Sequence, residues 1–235
     1  MDPAVSGTFL PFSILWGKGQ GIGVFHADSN ESLNKKILSA IQGLGWEPDD
    51  VRWTALAHFA TRVEEAGVSL VSHADRERLV HRHIQPSIEG LPWIPETGEL
   101  LDIGSGGGFP AIPVALARPR LTVTMVEANE RKSAFLHRVS RETGLTNVQV
   151  INWRAEDLGA LYRGYYDIIT ARAVDDLPLL IKWTRKYLSS DGYWLLWKGK
   201  KWRDEGNLDK LKVELGLEYP LSDGSRLLLL RNLKT

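Results

Sequence analysis

The sequence predicts an α/β fold: a mostly parallel sheet with a terminal antiparallel strand, preceded by a small helical subdomain. Three observations carry the prediction. Between Glu99 and Asn129 an apolar run breaks into the loop Gly104-Ser105-Gly106-Gly107-Gly108, a helix follows, and a second apolar run ends on Glu127. Beyond that unit, strand-like and helix-like stretches alternate, the rhythm of parallel strands joined by helices. At the end, two strands lack an obvious helix between them, which suggests an antiparallel hairpin.

The chain has 235 residues, enough to bury one large core. It contains no cysteine, which excludes disulfides, thiolate zinc sites and any cysteine nucleophile. Lys plus Arg (29) equals Asp plus Glu (29), so no global field draws the chain onto nucleic acid and any RNA contact must use local patches. No apolar run is long enough to span a membrane, and the start, MDPAV, lacks the basic region of a signal peptide. A cytoplasmic protein is expected.

Residues 1–27 are apolar but broken by Pro11, Gly17, Gly19, Gly21 and Gly23, and read as an irregular or disordered segment. Residues 28–91 read as the helical subdomain. Asp28 and Glu31 have capping-box spacing ahead of Leu33, Ile37, Ile41 and Leu44 on one face. A second helix starts near Pro48-Asp49-Asp50 and buries Trp53, Leu56, Ala60 and Val63. Ser72 can cap a third, SHADRERLVHRHI, which Pro86 is expected to end.

Residues 92–235 form the second domain. The first strand is Leu100 to Ile103, with Pro110 in the first turn of the following helix and Pro119 at its end. Leu121 to Val126 is the second strand. A helix from Glu130 to Thr143 is expected to bury Ala134, Phe135 and Val139, and Val148 to Trp153 is the third strand. Tyr166 to Thr170 is the fourth. Asp175 or Asp176 can cap the next helix, the fifth strand is YWLLW, and a helix carrying Leu208, Leu211 and Leu215 is expected before a late strand from Arg226 to Leu230.

The glycine loop has a physical job. Without Cβ it can turn with positive φ and let a ligand approach its backbone, and the helix N-terminus behind it offers free N–H groups. Glu127 stands at the end of the second strand, roughly 20 residues after Gly104, where a carboxylate accepts hydrogen bonds from ribose hydroxyls. Taken alone this unit suits a dinucleotide equally well, although Phe109 at the sixth loop position makes a poor GxGxxG.

Three further features favour S-adenosylmethionine and a Rossmann-like methyltransferase. Asp102 lies two residues before Gly104, where it can anchor the loop or face the amino-acid end of the ligand. Glu156-Asp157 follows the third strand, placed to meet an adenine amino group. Arg172 lies at the end of the fourth strand, on the same sheet edge, and ligands bind beyond the carboxyl ends of such strands. Singly, the acidic pair reads as a helix cap and Arg172 as a surface charge; their joint spacing favours the cofactor.

Absences narrow the reaction. Pyrimidine C5 methylation normally needs a cysteine nucleophile. Exocyclic-amine methylation usually uses an Asn/Asp-Pro-Pro-aromatic tetrad, where this chain has Thr170-Ala171-Arg172-Ala173. Ring nitrogens such as guanine N7, hydroxyls and small molecules remain. Guanine N7 carries no proton, so positioning alone could suffice, and no catalytic dyad stands out.

On these residues the chain resembles the glucose-inhibited division protein B family, bacterial 16S ribosomal RNA methyltransferases that modify guanine N7. The likeness runs from roughly Thr61 to Leu230. It rests on LLDIGSGGGFPAIPVALARP, followed in order by NWRAEDL, DIITARAV and LWKGK. It implies that Gly104, Gly106 and Phe109 line the cofactor loop, that Glu127 holds the ribose, that Ala155 and Glu156 hold the adenosine, and that Arg172 completes the pocket. LVHRHIQPS resembles the family's helix facing the site, which makes Arg82 and His83 substrate-side candidates, and Arg226 begins the final strand. Ser69-Leu70-Val71 and Pro86-Ser87 depart from the family's Asn-Leu-Thr and Asp-Ser, both on the substrate side.

Basic clusters at Arg76, Arg78 and Arg82, at Arg131, Lys132, Arg138 and Arg141, and at Lys198, Lys200, Lys201 and Arg203 are candidate RNA contacts, although charged helix faces are also ordinary surface. Lys198 leads, because it follows a strand on the ligand side. His73, His81 and His83 lack an acid or fourth ligand at a useful spacing, so no metal is expected. The nine tryptophans could include base-stacking platforms, yet most, such as Trp53 and Trp183, fall on apolar helix faces and read as core. The expected partner is ribosomal RNA or the small ribosomal subunit, met by a monomer without a membrane. Another RNA, a small molecule, a non-catalytic ribosome-assembly role and an NAD-dependent oxidoreductase stay open as alternatives.

Overall fold

The structure is a computed structural model that describes residues 31–46, 50–174 and 176–233. The expectations for residues 1–27, for the Asp28 cap, for Pro48-Asp49 and for Asp175 lie outside the described residues.

Seven strands form one sheet in the order β3-β2-β1-β4-β5-β7-β6. β1 (Thr97–Ile103), β2 (Arg120–Val126), β3 (Val148–Ile151), β4 (Tyr166–Arg172) and β5 (Leu188–Lys198) run parallel. β7 (Arg226–Asn232) enters antiparallel beside β5, and β6 (Val213–Pro220) is antiparallel to β7 at the edge. The order reverses at β1, so the carboxyl ends of β1 and β4 border the crevice where such sheets bind ligands.

Alternation along the strands assigns the two faces. Leu100, Val123, Ile168, Leu195, Trp197, Leu227 and Leu229 point to one side and share a single apolar cluster with the helices there. Those helices are α1 (Glu31–Ala40), α2 (Val51–Glu64), α4 (Gln85–Glu89), α5 (Ala111–Ala117) and α6 (Glu130–Glu142). Leu101, Ile103, Ile169, Trp194, Leu196 and Leu228 face the other side, under α7 (Leu177–Thr184). The N-terminal helices therefore pack on the same sheet face as α5 and α6 and share their core.

Several expected caps are in place. Ser72 Oγ accepts from Asp75 N at 3.2 Å and Asp176 Oδ1 from Leu179 N at 3.0 Å, satisfying N–H groups that a helix start leaves free. Pro110 precedes the first residue of α5 rather than lying within it. Ala134 is exposed, because α6 turns Ser133, Phe135, Leu136, Val139 and Ser140 inward instead.

Two elements differ more. The third helix is only α3 (His73–Arg76), followed by a π turn over Val80–Ile84 and then α4, which runs through Pro86. In an α-helix the Arg82 carbonyl would take the N–H of residue 86, which proline lacks. The Arg172 guanidinium, from β4, donates to the Arg82 and His83 carbonyls instead, and Ser87 Oγ donates to His83 O at 2.7 Å. The helix survives proline because a distant side chain supplies the missing donor.

The helix expected around Leu208, Leu211 and Leu215 is a short turn followed by β6. Its leucine spacing is not a helical stripe: Leu215 is an exposed strand residue next to an irregularity at Gly216. Glu214 and Glu218 on this outer strand discourage further pairing.

Candidate cofactor site

The glycine loop leaves β1 and is pinned to β2. Gly104 N and Ser105 N both donate to Val126 O, at 2.8 and 3.1 Å. Gly104 takes φ +65°, and a Cβ there would lie 2.6 Å from Val174 Cγ2, so no other residue fits without displacing that side chain. At Gly106 the reason is backbone alone: φ is +52°, and its N–H is turned toward Glu127.

Glu127 follows β2, and both of its carboxylate oxygens are already engaged. Oε2 accepts from Gly106 N and Oε1 from Asn129 N, each at 2.8 Å. Asn152 Nδ2 donates to the Glu127 carbonyl at 2.7 Å, fixing the backbone from β3's side. A carboxylate offers about four acceptor positions, so capacity remains for two hydroxyls. The same side chain thus holds the loop and presents acceptors at its edge.

Asp102, one register step from the end of β1, is 1% exposed. Thr170 Oγ1 from β4 donates to its Oδ1 at 2.6 Å, while Oδ2 is buried with no hydrogen-bond partner among the described residues. Burial pushes this carboxyl up to about 7, against the pull of the Thr170 hydroxyl and with a further push from the Glu127 charge. The Ser105 hydroxyl donates to the Asp102 main-chain carbonyl at 3.1 Å. An unpaired buried oxygen is costly, and a cationic ligand group would relieve it.

Ala155 and Glu156 lie in a short turn beyond β3. The turn is held from beneath by Tyr187, whose hydroxyl reaches Ala155 O at 3.0 Å and Leu158 O at 2.7 Å, while Lys186 Nζ donates to Glu156 O at 3.0 Å. The Glu156 carboxylate stays partly exposed, 3.9 Å from Arg154 Nη1. Nothing local in the sequence marks Tyr187 for this role, because the carbonyls it serves lie about 30 positions earlier.

Phe109 was expected to line the loop. Its ring is buried instead, 5.0 Å from both the Phe59 and His83 rings, so it joins the loop to the helical layer. Arg172 also turns toward that layer: besides the two carbonyls, its Nη2 lies 3.5 Å from Asp223 Oδ2, and burial draws its guanidinium down to about 10. Arg82 donates through Nε to Asp75 Oδ1 at 3.2 Å and through Nη1 to Asp223 O at 3.0 Å. His83 is mostly buried, and its Nε2 stands 3.8 Å from Asp75 Oδ2, beyond hydrogen-bond reach. Burial first, then the Arg172 and Arg82 charges, hold this imidazole down at about 4. Asp75 and Asp223 carry the counter-charge here, and sequence reasoning missed both.

Lys198 needs correction. It is 7% exposed, with Nζ 2.6 Å from Glu205 Oε2, and so forms a buried ion pair rather than a cation open to phosphate. The exposed members of that run are Lys200, Lys201 and Arg203, the last paired with Glu218. Arg226 is half-buried against Glu218 at 3.5 Å, and Glu218 also engages Arg203. Of the tryptophans named as core, Trp53 is buried and Trp183 only half-buried, and Trp153 is exposed just past β3. Two surface cavities, one between α2 and the α5–β2 turn and one between α1 and the Glu77–Gln85 stretch, lie away from the glycine loop. Among the described residues no helix is long and apolar enough to cross a membrane.

A seven-stranded sheet of this order, with a glycine loop after β1 and an acid after β2, is the Rossmann-like fold of S-adenosylmethionine-dependent methyltransferases. The crystal structure of such an enzyme from Aquifex aeolicus aligns over 68% of this chain and 98% of that one, with a TM-score of 0.53 and 14% identity. Within that fold, the chain belongs to the rRNA small subunit methyltransferase G family, whose model matches residues 53–219, the family that its motifs resemble. It is 44% identical over 105 residues to the ribosomal RNA small subunit methyltransferase G of Helicobacter hepaticus, covering 45% of this chain and 57% of the relative. It is 49% identical over 107 residues to the protein of that name from Sorangium cellulosum, covering 45% of each. The matches thus span about half the length of these curated relatives.

Proposed function

We propose that the protein transfers a methyl group from S-adenosylmethionine to N7 of a guanine in small-subunit (16S) ribosomal RNA. The observation that carries the cofactor is the unpaired Asp102 Oδ2 beside a loop whose N–H is tied to Glu127. A ligand with an ammonium at one end and ribose hydroxyls nearby answers both, whereas a nicotinamide dinucleotide brings no ammonium for Asp102. Membership in a family of small-subunit ribosomal RNA methyltransferases supports the substrate.

S-adenosylmethionine supplies an electrophilic methyl group on a sulfonium. The chain's residues bind and orient. Asp102 would accept from the ammonium, Glu127 from the ribose hydroxyls, and the loop at Gly104 and Gly106 would let the cofactor approach the backbone. The Ala155–Glu156 turn would meet the adenine, and Arg172 would close the pocket while holding Arg82 and His83 on the substrate side. Guanine N7 has a free lone pair and no proton, so no side chain has to act as a base; alignment with the methyl group is sufficient. His83, held neutral, adds no charge against an incoming base.

We place residues 28–91 as the substrate-facing subdomain, 92–235 as the methyltransferase domain, and the protein in the cytoplasm as a metal-free monomer on ribosomal RNA. Incubation with methyl-labelled S-adenosylmethionine and small subunits from a strain lacking the modification tests this reading: label should appear in ribosomal RNA as N7-methylguanosine. Label elsewhere, or none, contradicts it.

A further inference from the structure

One charged cluster is not explained by cofactor binding. It lies where β4, the Val80–Ile84 turn and the β6–β7 hairpin meet. At its centre is Asp223, in the hairpin turn, with a side chain only 1% exposed. A carboxylate so buried must be paired. Its Oδ1 accepts from Ser225 N at 2.9 Å and from the Ser225 hydroxyl, and its Oδ2 lies 3.5 Å from Arg172 Nη2 and 3.7 Å from Arg82 Nη1. Two guanidinium groups therefore share one buried anion.

Both arginines act on the same stretch of backbone. Arg172 donates to the Arg82 and His83 carbonyls, within a turn that Pro86 deprives of a donor. Arg82 grips the Asp223 carbonyl, and its own backbone belongs to that turn. The His83 ring then rests 5.0 Å from Phe109 of the glycine loop. The chain of contacts runs from hairpin to carboxylate, to two guanidiniums, to the Val80–Ile84 turn, and on to the loop.

We propose that Asp223 is a positioning residue: through Arg172 and Arg82 it fixes the Val80–Ile84 turn against the glycine loop, so that the C-terminal hairpin sets where the RNA base is held. The proposal rests on the methyltransferase reading above. Without the carboxylate, two like charges are left side by side in a poorly solvated place. Arg82 keeps Asp75 and the Asp223 carbonyl, but Arg172 loses the carboxylate beside it, so the guanidinium that holds the Arg82 and His83 carbonyls is loosened. Of the groups assigned to the cofactor, only Arg172 meets Asp223; Asp102, Gly106 and Glu127 make their hydrogen bonds elsewhere, as does the Ala155–Glu156 turn.

The test compares steady-state methyl transfer to small ribosomal subunits, cofactor affinity by calorimetry, and thermal unfolding for wild type and Asp223→Asn. Asparagine keeps the shape and an acceptor for Ser225 but removes the charge. The expected result is a loss of roughly tenfold or more in kcat/KM for RNA, the scale of a misplaced reacting group. Cofactor affinity should stay within about threefold of wild type, a change under 1 kcal/mol. Unchanged kcat/KM for RNA overturns the proposal, as does a fall in cofactor affinity equal to the fall in turnover. If Asp223→Asn does not fold, Ser225→Ala decides, because it loosens the carboxylate without removing its charge: a drop in kcat/KM for RNA supports the role, and none overturns it. A wild-type protein that neither binds S-adenosylmethionine nor transfers methyl groups overturns the functional reading itself, whereas active wild type with an indifferent variant overturns only the role of Asp223.

Discussion

Thr170 satisfies one oxygen of Asp102 and leaves the other buried and bare, 2.6 Å of hydrogen bond on Oδ1 and no partner on Oδ2. The two residues stand opposite each other across β1 and β4, so the sheet itself fixes this half-satisfied carboxylate at the rim of the glycine loop. Few arrangements would keep such a group in a core unless something else pairs with it.

That predicts a pH-dependent cofactor affinity. With its pKa at about 7, Asp102 holds a proton in the free protein below neutrality, and an ammonium prefers the carboxylate. Calorimetric affinity for S-adenosylmethionine should rise as pH rises through about 7, by up to about tenfold per pH unit on the acid side. Asp102→Asn should flatten the profile. The same raised pKa means that stability from this group is present below its ordinary 3.8 and is lost as pH climbs through about 7. A wild-type affinity indifferent to pH would count against the assignment.

His83 acts in the opposite sense. Its folded pKa, about 4, lies below its ordinary 6.5, so the stability of keeping it neutral is present above 6.5 and lost as pH falls through 4. Denaturant midpoints measured from neutrality downward should fall across that window. His83→Gln should lessen the fall, and a titration of the His83 ring near 6.5 would refute the burial argument.

Glu127→Ala removes the ribose acceptors and the anchor of Gly106 together. Charge-assisted hydrogen bonds contribute about 1.5–3 kcal/mol, so cofactor affinity should drop roughly tenfold or more. Glu127→Gln, which keeps one acceptor oxygen, should lose less. Equal affinity in all three proteins is the contrary outcome.

Tyr187→Phe removes the one O–H that the Ala155 and Leu158 carbonyls share. A cost of about 1–3 kcal/mol in unfolding free energy is expected, measured by urea titration, with a smaller loss of cofactor affinity. If stability is unchanged, the Ala155–Glu156 turn is not held by this hydroxyl.

Lys198→Ala should act on stability, because it removes a buried cation from Glu205, a carboxylate that is partly exposed and keeps the Leu177 N–H, so a loss of about 1–3 kcal/mol is expected. The variant Lys200→Ala/Lys201→Ala should instead weaken RNA binding and lower its salt slope by roughly 1–2. Swapped behaviour in filter-binding and unfolding experiments would restore Lys198 as an RNA contact.

What the sequence made legible is local. Asp102, the glycines and Glu127 sit in one strand–loop–helix–strand unit, so spacing alone brings them together. The failures are contacts between distant segments. Pro86 reads as a helix stop until Arg172, 90 positions away from Arg82, supplies the missing donor. Asp223 carries no signal in the sequence, because the Arg172 and Arg82 that share it lie 51 and 141 positions off. Lys198 reads as a strand-end cation because its partner, Glu205, lies in a turn that the sequence does not announce as folding back. Strand β6 escaped for another reason: as an edge strand it buries little, so its pattern has no clean period.

The most direct test of the central claim is mapping N7-methylguanosine in small-subunit ribosomal RNA after incubation of unmodified subunits with this protein and S-adenosylmethionine. A single new N7-methylguanosine, absent when Glu127→Ala replaces wild type, is the predicted result. Cofactor binding without any methylated guanine in that RNA would contradict the account.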